Sequence, residues 1–190
     1  VLTHGGAMLP NLAEERLYTR KKGEHMNVKK RIAKEAMCGI HNGMTILLDA
    51  GTTTFEIADL LRNSNLSNLT VITVDLYIAL HLYQCSNIKL IILGGEILAE
   101  TGAATGVMAI KQLEQFNADI AFMGTAAITD DYYLSVPTER KVFLKKMMRQ
   151  VSAKTVLVAD QSKFGRKKLY KSVRLDAFDH VITDYKFSEE

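Results

Sequence analysis

The sequence predicts an α/β fold, a mostly parallel sheet with helices on both faces. Short runs rich in Val, Ile and Leu recur along the chain, as at Ile46-Leu47-Leu48 and Ile120-Ala121-Phe122. Stretches with helical spacing of apolar residues separate them. Each run is followed by glycine or polar residues. Buried parallel strands alternating with covering helices produce this pattern.

The elements follow in order. Val1 to Pro10 reads as a short extended segment broken by glycines. Asn11 to His25 is polar and charged around Arg20-Lys21-Lys22, as expected of a solvated connector or helix face. A helix is expected from about Val28 to His41, with Ile32, Ala33, Ala36, Met37 and Ile40 on one face and Asn42-Gly43 ending it. Its Lys29-Lys30-Arg31-Lys34 face is read as solvated. A strand at Ile46–Leu48 then feeds a helix running to about Leu61. The second strand is Leu69–Val74, followed by a helix through Ile78, Ala79 and Leu82. The third strand is Lys89–Leu93. A helix around Val107–Phe116 leads to a strand at Asp119–Gly124. A long helix from Pro137 to about Val151 precedes strands at Thr155–Ala159 and His180–Thr183.

The stretch Asp49-Ala50-Gly51-Thr52-Thr53-Thr54 carries the most chemistry. A strand that turns at glycine into a helix leaves backbone N–H groups free at the positive end of the helix dipole, which suits a phosphate or carboxylate. Gly51 permits close approach of a ligand, and Thr52, Thr53 and Thr54 add hydroxyl donors. The plainer alternative is that Thr53 caps the helix, with Glu56 completing a capping box. No Lys follows this glycine as in a P-loop, and the spaced glycines of a dinucleotide site are absent. A small phosphorylated ligand therefore fits better than a nucleotide.

In such sheets ligands bind beyond the carboxyl ends of the strands. Here those ends read Asp49 to Thr52, Thr73-Val74-Asp75, Gly94-Gly95-Glu96, Gly124-Thr125 and Asp160-Gln161-Ser162-Lys163, so one pocket built from several loops is expected.

Composition bounds the rest. The 190 residues allow one domain with a sizeable core, and 47% hydrophobic and 24% charged residues are ordinary for a globular protein. A net charge of +3 supports no claim on nucleic acid. Cys38 and Cys85 match no metal or redox spacing and are read as buried thiols in a reducing compartment. The five scattered histidines offer no metal site, and no cofactor is expected. Apolar runs are strand-sized and no signal peptide is visible, so a soluble, cytoplasmic protein without membrane contact is expected.

The chain resembles the effector-binding domain of the DeoR family of bacterial transcriptional regulators. The resemblance rests on His4-Gly5-Gly6-Ala7, Asp49-Ala50-Gly51-Thr52-Thr53, Thr73, Gly94-Gly95, Gly106, the Asp119 to Gly124 strand, Lys145 with Met148, and Ala159 to Gly165, in that order. It implies a fold similar to ribose-5-phosphate isomerase and the coenzyme A transferases. It also implies a repressor of carbohydrate metabolism whose ligand, a phosphorylated sugar or related metabolite, modulates operator binding by an N-terminal winged helix-turn-helix absent from this chain. Residues 1–25 are then the linker after that DNA reader and residues 26–190 the effector-binding domain. Under this resemblance the threonine loop (Asp49, Gly51, Thr52, Thr53, Thr54) cradles phosphate and Lys163 supplies charge. Thr73, Gly94, Gly95 and Gly124 line the pocket, while Glu139 and Lys145 meet sugar hydroxyls or form a surface ion pair. A homo-oligomer is implied.

Departures from the family pattern fall at Val74, where many relatives carry Asn, and near Ala126-Ala127, where relatives usually carry Asp-Gly. Tyr132-Tyr133 replaces a loop that usually holds glycine. The competing reading is a sugar-phosphate isomerase. It needs a carboxylate base beside the substrate carbon; the loop after Gly124 offers Ala126-Ala127, with Asp130 and Asp131 further along, and Asp49, Asp75, Glu96 and Glu139 remain as possible bases.

Overall fold

A computed structural model describes residues 16–187, together with the backbone of residues 2–3 and 6–7. His4 and Gly5 of the junction motif lie outside the described residues. Six strands form the central sheet: β1 (Thr45–Leu48), β2 (Leu69–Thr73), β3 (Ile88–Ile92), β4 (Ala118–Met123), β5 (Ser152–Val158) and β6 (His180–Ile182). All neighbours are parallel, in the order β6-β5-β4-β1-β2-β3. The helices are α1 (Tyr18–Gly23), α2 (Met26–Met37), α3 (Thr52–Arg62), α4 (Leu76–Leu82), α5 (Val107–Leu113) and α6 (Glu139–Gln150).

Successive strand residues point to opposite faces, and here both faces are covered. Ile46 and Leu48 pack with Ile57, Ala58 and Leu61 of α3, Ile32 and Ala36 of α2, and Ile78 and Leu82 of α4. Leu47 faces the other way, into a cluster with Leu113 of α5 and Leu144 and Met148 of α6. This double burial is why the strands read as unbroken apolar runs.

Two antiparallel pieces were not legible as strands. A hairpin joins Glu96–Leu98 to Ala103–Thr105, and a three-stranded sheet is formed by Ala127–Ile128, Tyr133–Val136 and Tyr170–Arg174. Tyr132, at the turn of the second piece, adopts φ 61°, the left-handed conformation that glycine takes without strain. The departure from glycine noted there is thus accommodated with the backbone bent as a glycine would bend it.

Other expectations are corrected. Lys29 is not on a solvated face: it is 2% exposed, and its ammonium donates to the Lys21 carbonyl, tying α1 to α2. Burial holds its pKa below the usual lysine range, and the Lys163 charge adds to this. Cys38 is exposed and Cys85 half-buried, so neither is a fully buried thiol. The charged stretch before His25 is the helix-face alternative, α1, with Arg20 and Lys22 exposed and Tyr18 buried. Among the described residues no helix is long and apolar enough to cross a membrane.

Candidate functional site

The order of the sheet reverses at β1. From it the chain proceeds to β2 and β3 on one side, then to β4, β5 and β6 on the other. The crevice at such a switch point opens between the carboxyl ends of β1 and β4. A cavity of about 680 Å³ lies there.

Asp49, the residue after β1, holds the floor together. Its Oδ1 accepts from the Ala50 N–H at 2.8 Å and its Oδ2 from the Gly124 N–H at 3.0 Å, beyond the end of β4. Lys145 of α6 donates to the same Oδ2 at 2.6 Å and to the Gly124 carbonyl. The charge of Asp49 is therefore answered from within the fold.

The threonine loop follows. Gly51 precedes the first turn of α3 in extended backbone, φ 163°, so its value is the missing side chain rather than an unusual conformation. Its N–H donates to Asp75 Oδ2 at 3.0 Å. The capping box does not form: Gly51 takes the cap position and no side chain bonds the helix start. Thr54 Oγ1 donates to the Gly51 carbonyl at 2.9 Å, which makes it a structural hydroxyl. Thr52 and Thr53 line the cavity, and as first-turn residues their N–H groups have no acceptor four residues back in the helix.

Asp75 is the second buried carboxylate. Its Oδ1 caps α4 through the Tyr77 and Ile78 N–H groups, at 2.7 and 3.2 Å. Burial pushes its pKa up to about 6, with Asp49 adding to the shift and the three N–H donors opposing it.

The other walls are basic. Arg16, Arg20 and Lys21 contribute from α1 and the residue pair before it, and Lys141 and Lys145 from α6. Lys163, Arg166, Lys167 and Lys168 come from the segment after β5, while Asp49 is the sole carboxylate among the described residues that line the cavity. The Lys163 ammonium lies 3.7 Å from Asp160 Oδ2. Burial works against the Asp160 charge, but the Ser162 hydrogen bonds and Lys163 outweigh it and hold that carboxyl below the usual range.

Of the residues singled out in the sequence, Asp49, Gly51, Thr52, Thr53, Thr54, Gly124, Lys145 and Lys163 come together around this cavity. Four do not. Thr73 is buried beneath the floor, where its hydroxyl donates to the Leu48 carbonyl at 2.9 Å and accepts from the Asp75 N–H. Gly94 donates its N–H to Gln112 Oε1. Gly95 passes so close to the 96–105 hairpin that a Cβ would lie 2.5 Å from the Thr105 carbonyl oxygen. Both glycines follow the edge strand β3, two strands from β1. Glu139 borders a separate surface depression with Gly95, Gly106 and Phe143. Lys145 forms a buried ion pair rather than a surface one. Tyr18, Thr101 and Arg16 also line the cavity and were not singled out, since each sits in a stretch without strand or helix signal of its own.

The sequence profile of the DeoR C terminal sensor domain matches residues 24–185. The chain belongs to that family. This DeoR sensor domain is 32% identical over 183 residues to the HTH-type transcriptional regulator GlpR of Haloferax volcanii, covering 96% of this chain and 71% of that protein. It is 32% identical over 181 residues to the glycerol-3-phosphate regulon repressor of Escherichia coli, covering 95% and 71%. Among solved structures, eIF2B delta from Chaetomium thermophilum superposes with a TM-score of 0.62 at 18% identity, over 87% of this chain and 58% of that one. A D-ribose-5-phosphate isomerase in complex with phospho-erythronic acid superposes with a TM-score of 0.53 at 20% identity, over 73% and 54%. These likenesses establish the fold of the DeoR sensor domain, as its sequence implied.

Proposed function

We propose that this domain is the sensor of a transcriptional repressor and binds a small phosphorylated sugar or related metabolite in the cavity at the β1–β4 switch point. The observation that carries the reading is the pairing of the open Thr52–Thr53 helix start with basic walls, in a cavity whose own carboxylate is already neutralised by Lys145. An anion entering it meets unpaired N–H groups, two hydroxyls and Lys163. The likeness to the Escherichia coli glycerol-3-phosphate regulon repressor supports a phosphate ester as ligand.

Ligand binding shifts the arrangement of DNA readers in an N-terminal winged helix-turn-helix outside this chain, in a homo-oligomer acting in the cytoplasm. A ligand moves such an equilibrium only by its differential affinity for the two states, about 1–3 kcal/mol in typical cases.

An isomerase reading is less well supported. The one carboxylate among the described residues that line the cavity accepts hydrogen bonds from two N–H groups and an ammonium, which suits a brace and not a general base.

A thermal-shift screen of matched sugars and sugar phosphates tests the proposal. A ligand at a hundred times its Kd adds about 2.7 kcal/mol, or roughly 5 to 10 °C for a domain of this size. A shift with one phosphate ester, absent with its unphosphorylated partner and without turnover of the ester, supports the sensor. No shift across the panel removes the phosphate assignment.

A further inference from the structure

Two hydroxyls in the cavity wall have no hydrogen-bond partner among the described residues: the Tyr18 phenol and Thr101 Oγ1. Both residues are buried, at 3% and 5% exposure. Hydroxyls removed from water are ordinarily paired, so an unpaired couple lining one cavity marks a place where a ligand completes the bonding.

The pair is held by a built arrangement. The Tyr18 ring stacks on Tyr77 with centroids 3.9 Å apart and meets Phe55 edge-on at 6.5 Å. The Tyr18 N–H donates to the Glu100 carbonyl at 2.7 Å, joining α1 to the hairpin tip that carries Thr101. Gly102 in that tip has φ 69°, and a Cβ there would strike the Tyr77 ring at 2.7 Å. The tip therefore lies flush against the aromatic stack.

Burial, with the Asp75 and Glu56 carboxylates adding to it, pushes the phenol's pKa above the ordinary tyrosine range and keeps it protonated. Lys163 and the open Thr52–Thr53 helix start favour the anionic end of a ligand, and a protonated phenol suits a neutral one.

We infer that Tyr18 and Thr101 form a hydroxyl-reading subsite that binds the neutral, polyhydroxylated end of the ligand while the threonine loop and Lys163 hold its phosphate. A hydroxyl both donates and accepts, which matches a sugar or polyol OH in either sense. This rests on the phosphate-ester reading above and adds the residues that set specificity. Because Tyr18 belongs to α1, the ligand's hydroxyl end also fastens α1 to the cavity.

The test compares wild type with Tyr18→Phe, using D-ribose 5-phosphate, sn-glycerol 3-phosphate and inorganic phosphate as probes in calorimetry and thermal shift. Without ligand, Tyr18→Phe should melt at or above the wild-type temperature, because it removes an unpaired buried hydroxyl. With the phosphate ester that binds wild type, affinity should fall about tenfold while inorganic phosphate binds unchanged. Unchanged ester affinity, an equal loss for inorganic phosphate, or a lower melting temperature without ligand would each overturn the subsite. If Tyr18→Phe fails to fold, Thr101→Val decides by the same comparison. If wild type binds none of the phosphates, the phosphate reading fails on its own. Ribose and glycerol then probe the subsite, and indifference to Tyr18→Phe, or no binding at all, overturns it as well.

Discussion

Lys145 and Asp49, 96 residues apart in sequence, meet at 2.6 Å with each side chain only 6% exposed. The pair joins α6 to the end of β1, and through Gly124 it also joins β1 to β4. Taking two charges out of water is costly, and the cost is offset only when both stay paired. Lys145→Met should therefore destabilise the domain by about 3–5 kcal/mol, leaving Asp49 buried and unpaired. Lys145→Met with Asp49→Leu should recover part of that loss. Urea melts of the two single variants and the double variant read the coupling, and strict additivity would count against it.

The neighbouring threonines should separate binding from stability. Thr54→Val deletes a hydroxyl that donates to the Gly51 carbonyl, and should cost about 1 kcal/mol in a denaturant melt. Thr52→Val faces the cavity and should leave stability within about 0.5 kcal/mol while weakening a phosphate ester about tenfold in calorimetry.

Lys163→Ala should act on the ligand far more than on the fold. Its ammonium stands off from Asp160 at 3.7 Å, beyond hydrogen-bond length, so its loss removes little internal bonding. Equal affinity for the phosphate ester in the variant would take Lys163 out of the site.

Asp75 sets a pH dependence of unusual sign for a carboxylate. Its folded pKa of about 6 stands above the ordinary 3.8, so between these values the folded state holds more proton than the unfolded state. Stability from this group is present at low pH and is lost as pH rises through about 6. Asp160, Asp131 and Asp179, whose folded pKa values are lowered, lose stability as pH falls, and their window lies below about 4. Thermal melts from pH 4 to 7 should show a downward trend in wild type that Asp75→Asn flattens. An identical slope in the variant would assign the trend elsewhere.

Gly95→Ala should destabilise by about 2–4 kcal/mol, since the new methyl meets a backbone carbonyl rather than a side chain that can move. A melt near wild type would show that the hairpin yields.

Much of this was readable in advance because the central strands are buried on both faces. Ile46-Leu47-Leu48 and Ile120-Ala121-Phe122 declare themselves without their partners. The hairpin and the small antiparallel sheet did not, because their strands run two to five residues and depend on pairing across the chain. The burial of Lys29 was invisible for a similar reason: three of its close sequence neighbours are basic, while the carbonyl it serves belongs to another helix. At the site, the rule that ligands bind at strand ends collected Gly94 and Gly95 with the rest. It gives an edge and not a position along it, and β3 stands at the far end. Tyr18 was hidden by the charged residues around it in sequence, while its ring turns inward.

The clasp of Asp49, Gly124 and Lys145 has a kinetic consequence. Its three members come from distant parts of the chain, and the cavity walls draw on residues from Arg16 to Lys168. Such a cavity exists only after β4 has docked on β1 and α6 has closed behind them. A ligand therefore finds nothing to hold during folding and everything to hold afterwards. It should lengthen the lifetime of the native state in unfolding experiments while leaving the refolding rate where it was.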